Sequence, residues 1–154
     1  MSQQHYFTDL KLDRIFMILR RGGLVIIKDE RGRASLVRAA EFADFTPETL
    51  TGLVLDTEIL CLTARHMQAF GKAVHADLPC YSLPAATLSM AQTHALILGD
   101  GSALPDEANW LGERANSLPD IACRLLRAAR LIPAALLTRI SINDSAHLHH
   151  MADW

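Results

Sequence analysis

The feature that most constrains the fold is the stretch GGLVIIKDERGRASLVRAAEF, residues 22–42. An apolar run at 24–27 leads into a charged cluster at 28–33, and a second apolar run follows. Four consecutive apolar residues leave no polar side, which predicts a strand buried on both faces. Gly32 lies inside the charged cluster and favours a tight turn. The stretch therefore predicts a β-hairpin whose second strand spans 34–42.

A helical pattern precedes this hairpin. Apolar residues recur at the spacing of an amphipathic helix over 9–21. These positions are Leu12, Ile15, Phe16 and Leu19. Thr8 or Asp9 would cap the start of this helix, and the glycine pair at 22–23 would end it.

Helix and strand patterns alternate along the rest of the chain. The predicted elements are a helix that opens at 46–48, a strand at 58–63, a short helix from 64 that ends at Gly71, a weaker strand at 78–85 and a helix over 87–98. Residues 103–132 are expected to be rich in helix, with an apolar stripe along 119–132. The tail 141–154 lacks periodicity and is expected to be flexible. The alternation favours an α/β or α+β sandwich.

The length and net charge of the chain indicate which classes of protein it can belong to. A chain of 154 residues suits one domain, predicted here as 1–140 followed by the tail. Half of the residues are hydrophobic, so a full core is expected, and the net charge of −2 argues against general attraction to nucleic acid. No apolar run approaches the ~20 residues that span a bilayer, and residues 1–13 lack the pattern of a secretory signal. We therefore expect a cytoplasmic protein without nucleic-acid or membrane partners.

The three cysteines are far apart in the sequence and lie in apolar surroundings. They are Cys61, Cys80 and Cys123. No CxxC pair occurs, so the pattern predicts reduced, buried thiols rather than a redox or zinc site.

Residues 19–50, LRRGGLVIIKDERGRASLVRAAEFADFTPETL, resemble the start of 3,4-dihydroxy-2-butanone 4-phosphate synthase. They are still more similar to the shortened synthase-like domain that precedes GTP cyclohydrolase II in some bacterial riboflavin-pathway proteins. The matched features are an Arg-Gly-Gly turn at 21–23, an apolar strand, and a second strand that ends in Ala-Ala-Glu-Phe at 39–42. The similarity covers about residues 10–63. It implies an α+β fold of the synthase type, an α/β/α sandwich with a mixed β-sheet, and a homodimer.

The resemblance also implies a reaction, the conversion of ribulose 5-phosphate to the butanone phosphate and formate with Mg²⁺. The family carries out this reaction with an acidic loop, Asp-Asp-Glu-Asp-Arg-Glu-Asn-Glu-Gly-Asp, and a later Gly-His-Thr-Glu-Ala motif. Here Asp29 and Glu30 match the first acids of the loop, and Arg31 or Arg33 matches its arginine. The part with the metal-binding glutamate has no counterpart, and the second motif does not occur.

These departures predict a catalytically degenerate synthase-like domain that serves as a binding, regulatory or structural module linked to riboflavin biosynthesis. No metal site and no cofactor are expected, and Mg²⁺ would be needed only if the synthase activity survives. The candidate ligand-binding residues, for a phosphorylated small molecule, are Asp29, Glu30, Arg31, Arg33, Thr63 and His66. Guanidinium groups offer forked donors to phosphate oxygens, but a solvated hairpin turn is the simpler explanation of the charged cluster.

The sequence leaves two other functions open. A divergent lyase of the synthase type, or an enzyme acting on another phosphorylated sugar or nucleotide, would use Asp29, Glu30 and Arg31 with a histidine such as His66. A protein-interaction module would instead use the basic stripe of the last helix, Arg124, Arg127 and Arg130. The histidines near the C-terminus, His147, His149 and His150, are of a type that binds transition metals, but a flexible tail would not hold them in a fixed geometry.

Overall fold

The computed structural model of the chain describes residues 3–29, 31–44, 58–105 and 109–140. Four helices and six strands occur in this part. In chain order they are α1 (Gln3–Arg20), β1 (Val25–Lys28), β2 (Ala34–Ala39), β3 (Glu58–Thr63), α2 (Ala64–Ala69), β4 (Cys80–Pro84), α3 (Met90–Ile97), β5 (Leu111–Glu113), α4 (Leu118–Ala128) and β6 (Ala135–Ile140). Single 3₁₀ turns lie at Ala40–Phe42, Ala85–Thr87 and Gly101–Ala103.

The six strands form one sheet in the order β1-β2-β6-β3-β4-β5. Both neighbours of β6 run antiparallel to it, with Val37 of β2 and Ile59 of β3 each opposite Leu137. The α+β class is thus confirmed. The expectation of a mixed sheet is wrong for the described strands, because every pairing between them is antiparallel.

Helices cover both faces of this sheet. On one face, Leu19 of α1 and Leu126 of α4 pack against strand residues such as Val37. On the other face, Leu96 of α3 packs against Leu60 and its neighbours. Because alternate residues of a strand point to opposite faces, the two cores share the same strands. The result is the three-layer α/β/α arrangement that the resemblance implies.

A buried ion pair spans the centre of the sheet. Arg38 of β2 and Glu58 of β3 lie on either side of β6, and only 4% and 7% of their surfaces are exposed. Nε and Nη2 of Arg38 donate to the two carboxylate oxygens of Glu58 at 3.2 and 3.0 Å. The ion pair thus connects β2 and β3 across β6, and it can form because β6 lies between these two strands.

The predicted start of the first helix is wrong. The helix begins at Gln3, so Thr8 and Asp9 lie inside it rather than at its cap. No glycine or proline occurs between residues 3 and 21 to interrupt it. The predicted end is confirmed, since Gly22 follows the last turn at φ 78° and Gly22 N donates to the carbonyl of Leu19.

The hairpin at 25–39 is confirmed, but its first strand is not buried on both faces. Val25 is buried, whereas Ile26 and Ile27 are half-buried. The reason is topological, because β1 lies at the edge of the sheet and, among the described strands, pairs only with β2. The second strand ends at Ala39, and the remainder of the predicted strand is the 3₁₀ turn at 40–42.

Three further differences lie in the second half of the chain. The helix predicted from residue 87 begins at Met90, because Ser89 and Gln92 form a reciprocal capping box there. The helix-rich interpretation of 103–132 is wrong for 111–113, which form the edge strand β5. The sequence patterns also miss β6, which is the third strand of the sheet and almost wholly buried.

Other expectations have simpler outcomes. The strand at 58–63 and the helix that Thr63 caps are confirmed. All three cysteines are buried and free. The helix expected at 46–48 and the tail 141–154, with its three histidines, lie outside the described residues. No helix in the described part of the chain is both long enough and apolar enough to cross a membrane.

Candidate functional site

The charged hairpin between β1 and β2 is organised by the Asp29 carboxylate. Its Oδ1 accepts the backbone N–H groups of Arg31 and Arg33, each at 2.9 Å, and its Oδ2 accepts Nε of Arg33 at 2.6 Å. Gly32 closes the turn at φ 78°, a conformation that glycine adopts without steric cost. The Asp29 carboxylate therefore stabilises the turn in which it lies.

The described residues of this hairpin do not fit a divalent cation. Partial burial raises the pKa of Asp29, but hydrogen bonds from Arg33 and Arg31 outweigh that effect and hold it below its usual value. The carboxylate is charged, yet it already accepts three hydrogen bonds and is paired with a guanidinium. Hard cations require several oxygen ligands, and Asp29 supplies the only described carboxylate of the turn. Glu30 lies outside the described residues.

A cleft of about 470 Å³ lies at the end of the sheet where β3 ends and β6 begins. It is bounded by α2, by the C-terminal ends of α3 and α4, and by the loop that leads into β6. The lining residues are Thr63, Arg65, His66, Ala69, Ile97, Leu98, Gly99, Arg127, Ile132 and Pro133. Two of the sequence-predicted candidates, Thr63 and His66, are among them.

Both ring nitrogens of His66 are engaged. Nε2 lies 3.1 Å from the carbonyl oxygen of Ile97, and Nδ1 lies 3.0 Å from the Thr63 hydroxyl. Because a carbonyl only accepts, Nε2 carries the proton and Nδ1 accepts from the hydroxyl in the neutral ring. Burial lowers the pKa of His66, and the hydrogen bond to Ile97 only partly opposes this shift. His66 therefore stands as a neutral, fixed part of the cleft wall.

Two arginines of the cleft come from different elements. Arg65 lies in the first turn of α2 and Arg127 in the last turn of α4, and both are exposed. Neither forms an ion pair with another described residue. Arg127 belongs to the basic stripe that the sequence reveals, whereas Arg65 carries no sequence signal beyond its place beside His66. Arg124 of the same stripe is engaged elsewhere, by Asp120 and Asn116.

The Ala-Ala-Glu-Phe segment positions part of the apolar wall of the cleft. The amide of Ala40 donates to the carbonyl of Ala134 at 2.9 Å, and the Glu41 carboxylate accepts the amide of Ile132. These two bonds fix the loop 132–134, which carries Ile132 and Pro133 into the cleft. The part of the sequence that resembles the synthase most closely thus has a structural role at this end of the sheet.

Gly99, at the end of α3, shapes another part of the cleft. Its φ of 90° ends α3, and the amides of Gly99 and Asp100 return to the carbonyls of Leu96 and Ala95 at 3.0 and 2.9 Å. This helix end leaves Leu98 at the rim with 75% of its surface exposed. The cleft therefore combines an apolar wall with two cationic side chains.

The hairpin and the cleft lie at opposite ends of the sheet. Ala34, next to the turn, is opposite Ile140 at the far end of β6, whereas Ala134 adjoins the cleft at its near end. Six residues of extended chain separate these levels by about 20 Å. The structure brings Thr63 and His66 together and places Asp29, Arg31 and Arg33 away from them. No three His, Cys, Asp or Glu residues among those described are grouped so as to hold a metal ion.

Comparison with known proteins agrees with this architecture. No family model matches the chain, and no curated protein sequence is significantly similar to it. Among solved structures, RibBX from A. baumannii, a two-domain 3,4-dihydroxy-2-butanone 4-phosphate synthase, matches with a TM-score of 0.55 and 17% sequence identity. The match covers 86% of this chain and 48% of that one. A cation-free 3,4-dihydroxy-2-butanone 4-phosphate synthase matches with a TM-score of 0.52 and 17% identity, over 84% of this chain and 74% of the other.

The chain has the 3,4-dihydroxy-2-butanone 4-phosphate synthase fold. It spans about half the length of the two-domain synthase that it matches. The synthase-like fold implied by residues 19–50 is thereby confirmed over most of the chain, including the part beyond residue 63 where the sequence resemblance ends.

Proposed function

We propose that this chain is a synthase-fold domain, linked to riboflavin biosynthesis, that binds a ligand and does not carry out the synthase reaction. The link to the pathway rests on the fold and on the resemblance of residues 19–50. Association with GTP cyclohydrolase II and assembly into a homodimer are further expectations of that resemblance and stay predictions.

One observation carries the proposal. Asp29, which matches the first acid of the family's catalytic loop, accepts hydrogen bonds from Arg31 and Arg33 within its own turn. A carboxylate used in this way has little remaining capacity to bind a cation or to move a proton on a substrate. The hairpin keeps the position of a catalytic loop and uses its first acid to stabilise the turn.

The placement of His66 also supports the proposal. An enzyme that used Asp29, Arg31 and His66 together would need these groups within hydrogen-bond reach of one small substrate. The strand register instead separates the hairpin from His66 by about 20 Å. Both nitrogens of the His66 ring already have partners, so a proton transfer at this ring would first have to break one of these bonds.

The test is release of formate from ribulose 5-phosphate in the presence of Mg²⁺. The wild-type chain, Asp29→Asn and Glu30→Ala are compared with an active synthase and with a blank that contains no protein. We expect all three to match the blank, with circular dichroism showing that each is folded. Formate above the blank from the wild-type chain overturns the proposal, and its loss in Glu30→Ala would place the reaction in the hairpin.

A further inference from the structure

The cleft at the end of the sheet carries an excess of positive charge in a chain whose net charge is −2. Arg65 and Arg127 approach it from two different helices, and none of the described lining residues is acidic. Neither guanidinium is neutralised by an ion pair in the described part of the chain. Unpaired cations that converge on a concave surface attract an anion, and guanidinium groups match phosphate oxygens in geometry.

The cleft also has an apolar wall. Ile97, Ile132 and Pro133 line it, and Leu98 lies at its rim with 75% of its surface exposed. A volume of about 470 Å³ falls within the range of about 300–1,000 Å³ typical of small-molecule sites. The ligand that fits both the arginines and the apolar wall therefore has an anionic end and a less polar body.

Apart from the two arginines, the polar side chains that line the cleft, Thr63 and His66, carry no charge. Thr63 and His66 are bonded to each other, and His66 is bonded in turn to the carbonyl of Ile97. These contacts fix the imidazole in place before any ligand enters, and a preorganised group loses little entropy on binding. Recognition of the anion is thus left to Arg65 and Arg127.

We propose that this cleft binds a phosphate monoester of sugar-phosphate to mononucleotide size, with Arg65 and Arg127 holding the phosphate and the apolar wall holding the organic part. This inference rests on the proposed function in one respect, namely that the domain binds rather than converts its ligand. It places the binding site at the end of the sheet away from the charged hairpin.

Titration calorimetry with two matched pairs of probes tests the inference. Ribose 5-phosphate is compared with ribose, and flavin mononucleotide with riboflavin. We expect at least one phosphate ester to bind about tenfold or more tightly than its parent, because a hydrogen bond to a charged group contributes about 1.5–3 kcal/mol. If neither ester binds more tightly than its parent, the inference is wrong.

Variants locate the site. Arg65→Gln and Arg127→Gln are each expected to weaken binding of the ester about tenfold or more. Arg114→Gln removes another exposed charge, outside the cleft, and Arg31→Gln removes one from the hairpin, so both are expected to bind as the wild type does. Binding that persists in both cleft variants, or that is lost in Arg31→Gln, overturns the inference.

The two proposals fail in different ways. Formate release by a chain that still binds a phosphate ester through Arg65 and Arg127 contradicts the proposed function alone. A chain that releases no formate and does not prefer either ester to its parent contradicts the cleft site alone.

Discussion

Replacement of Arg38 by methionine tests the arrangement of the sheet. Methionine keeps much of the length and apolar surface of the side chain but removes the guanidinium. Glu58 on the far side of β6 then keeps a carboxylate whose side chain is only 9% exposed and which has lost two hydrogen bonds. Removing one partner of a buried ion pair costs about 3–5 kcal/mol, because the other charge is left uncompensated.

That loss is large compared with the total stability of a domain of this size, which is about 5–15 kcal/mol. The double variant Arg38→Met with Glu58→Leu removes both charges, and an apolar pair in place of a buried ion pair is often neutral or stabilising. We therefore expect the double variant to be more stable than Arg38→Met alone. The two substitutions should be strongly non-additive, as they are for groups in contact.

Urea unfolding followed by circular dichroism measures these free energies. The matched control is Arg139→Met, the same substitution at an exposed position of the neighbouring strand β6, which should change stability by less than about 0.5 kcal/mol. A loss below about 1 kcal/mol for Arg38→Met, or additive effects in the double variant, would refute the reasoning. Either result would mean that Arg38 and Glu58 do not form a buried, hydrogen-bonded ion pair across β6.

Two further predictions concern the site and its supporting helix. Because burial lowers the pKa of His66, the unfolded chain takes up a proton at higher pH than the folded chain does, so stability falls as the pH drops below about 6.5. The urea midpoint should fall between pH 7.5 and pH 5.5 by more in the wild type than in His66→Gln. The variant His75→Gln, at an exposed histidine, is the control and should behave as the wild type does. An equal fall in all three proteins would contradict this prediction. Ser89→Ala removes the hydroxyl that accepts the amide of Gln92 at 3.1 Å and should destabilise the chain by about 1 kcal/mol in the same assay. An unchanged midpoint would show that the capping box does not stabilise α3.

Local signals account for the elements that the sequence predicts correctly. The turn at Gly32, the cap at Thr63 and the glycine after α1 each depend on a few neighbouring residues. The sequence patterns do not predict strand β6, for the opposite reason. Its apolar run follows α4 closely, and periodicity alone does not distinguish a short buried strand from a buried helical segment. Its place in the sheet is set by pairing with β2 and β3, which lie far away in the chain.

The same distinction applies to the candidate site. Thr63 and His66 are three residues apart and meet in the first turn of α2, so the sequence could group them. Arg127 comes from a helix about sixty residues later, and only the packing of α4 beside the loop at 132–133 brings it to the cleft. Asp29 and Arg33 are candidates for ligand binding from the sequence, with a solvated hairpin turn as the alternative. The structure shows that they bind each other, which the spacing of charges along a sequence does not reveal.

The most direct test of the central claim is the yield of formate when the chain and ribulose 5-phosphate are incubated in equal amounts with Mg²⁺, so that even a single turnover is detected. If Asp29 serves to stabilise the hairpin turn and not to catalyse the synthase reaction, no formate beyond the spontaneous background is expected. Formate approaching one equivalent per chain would contradict the claim.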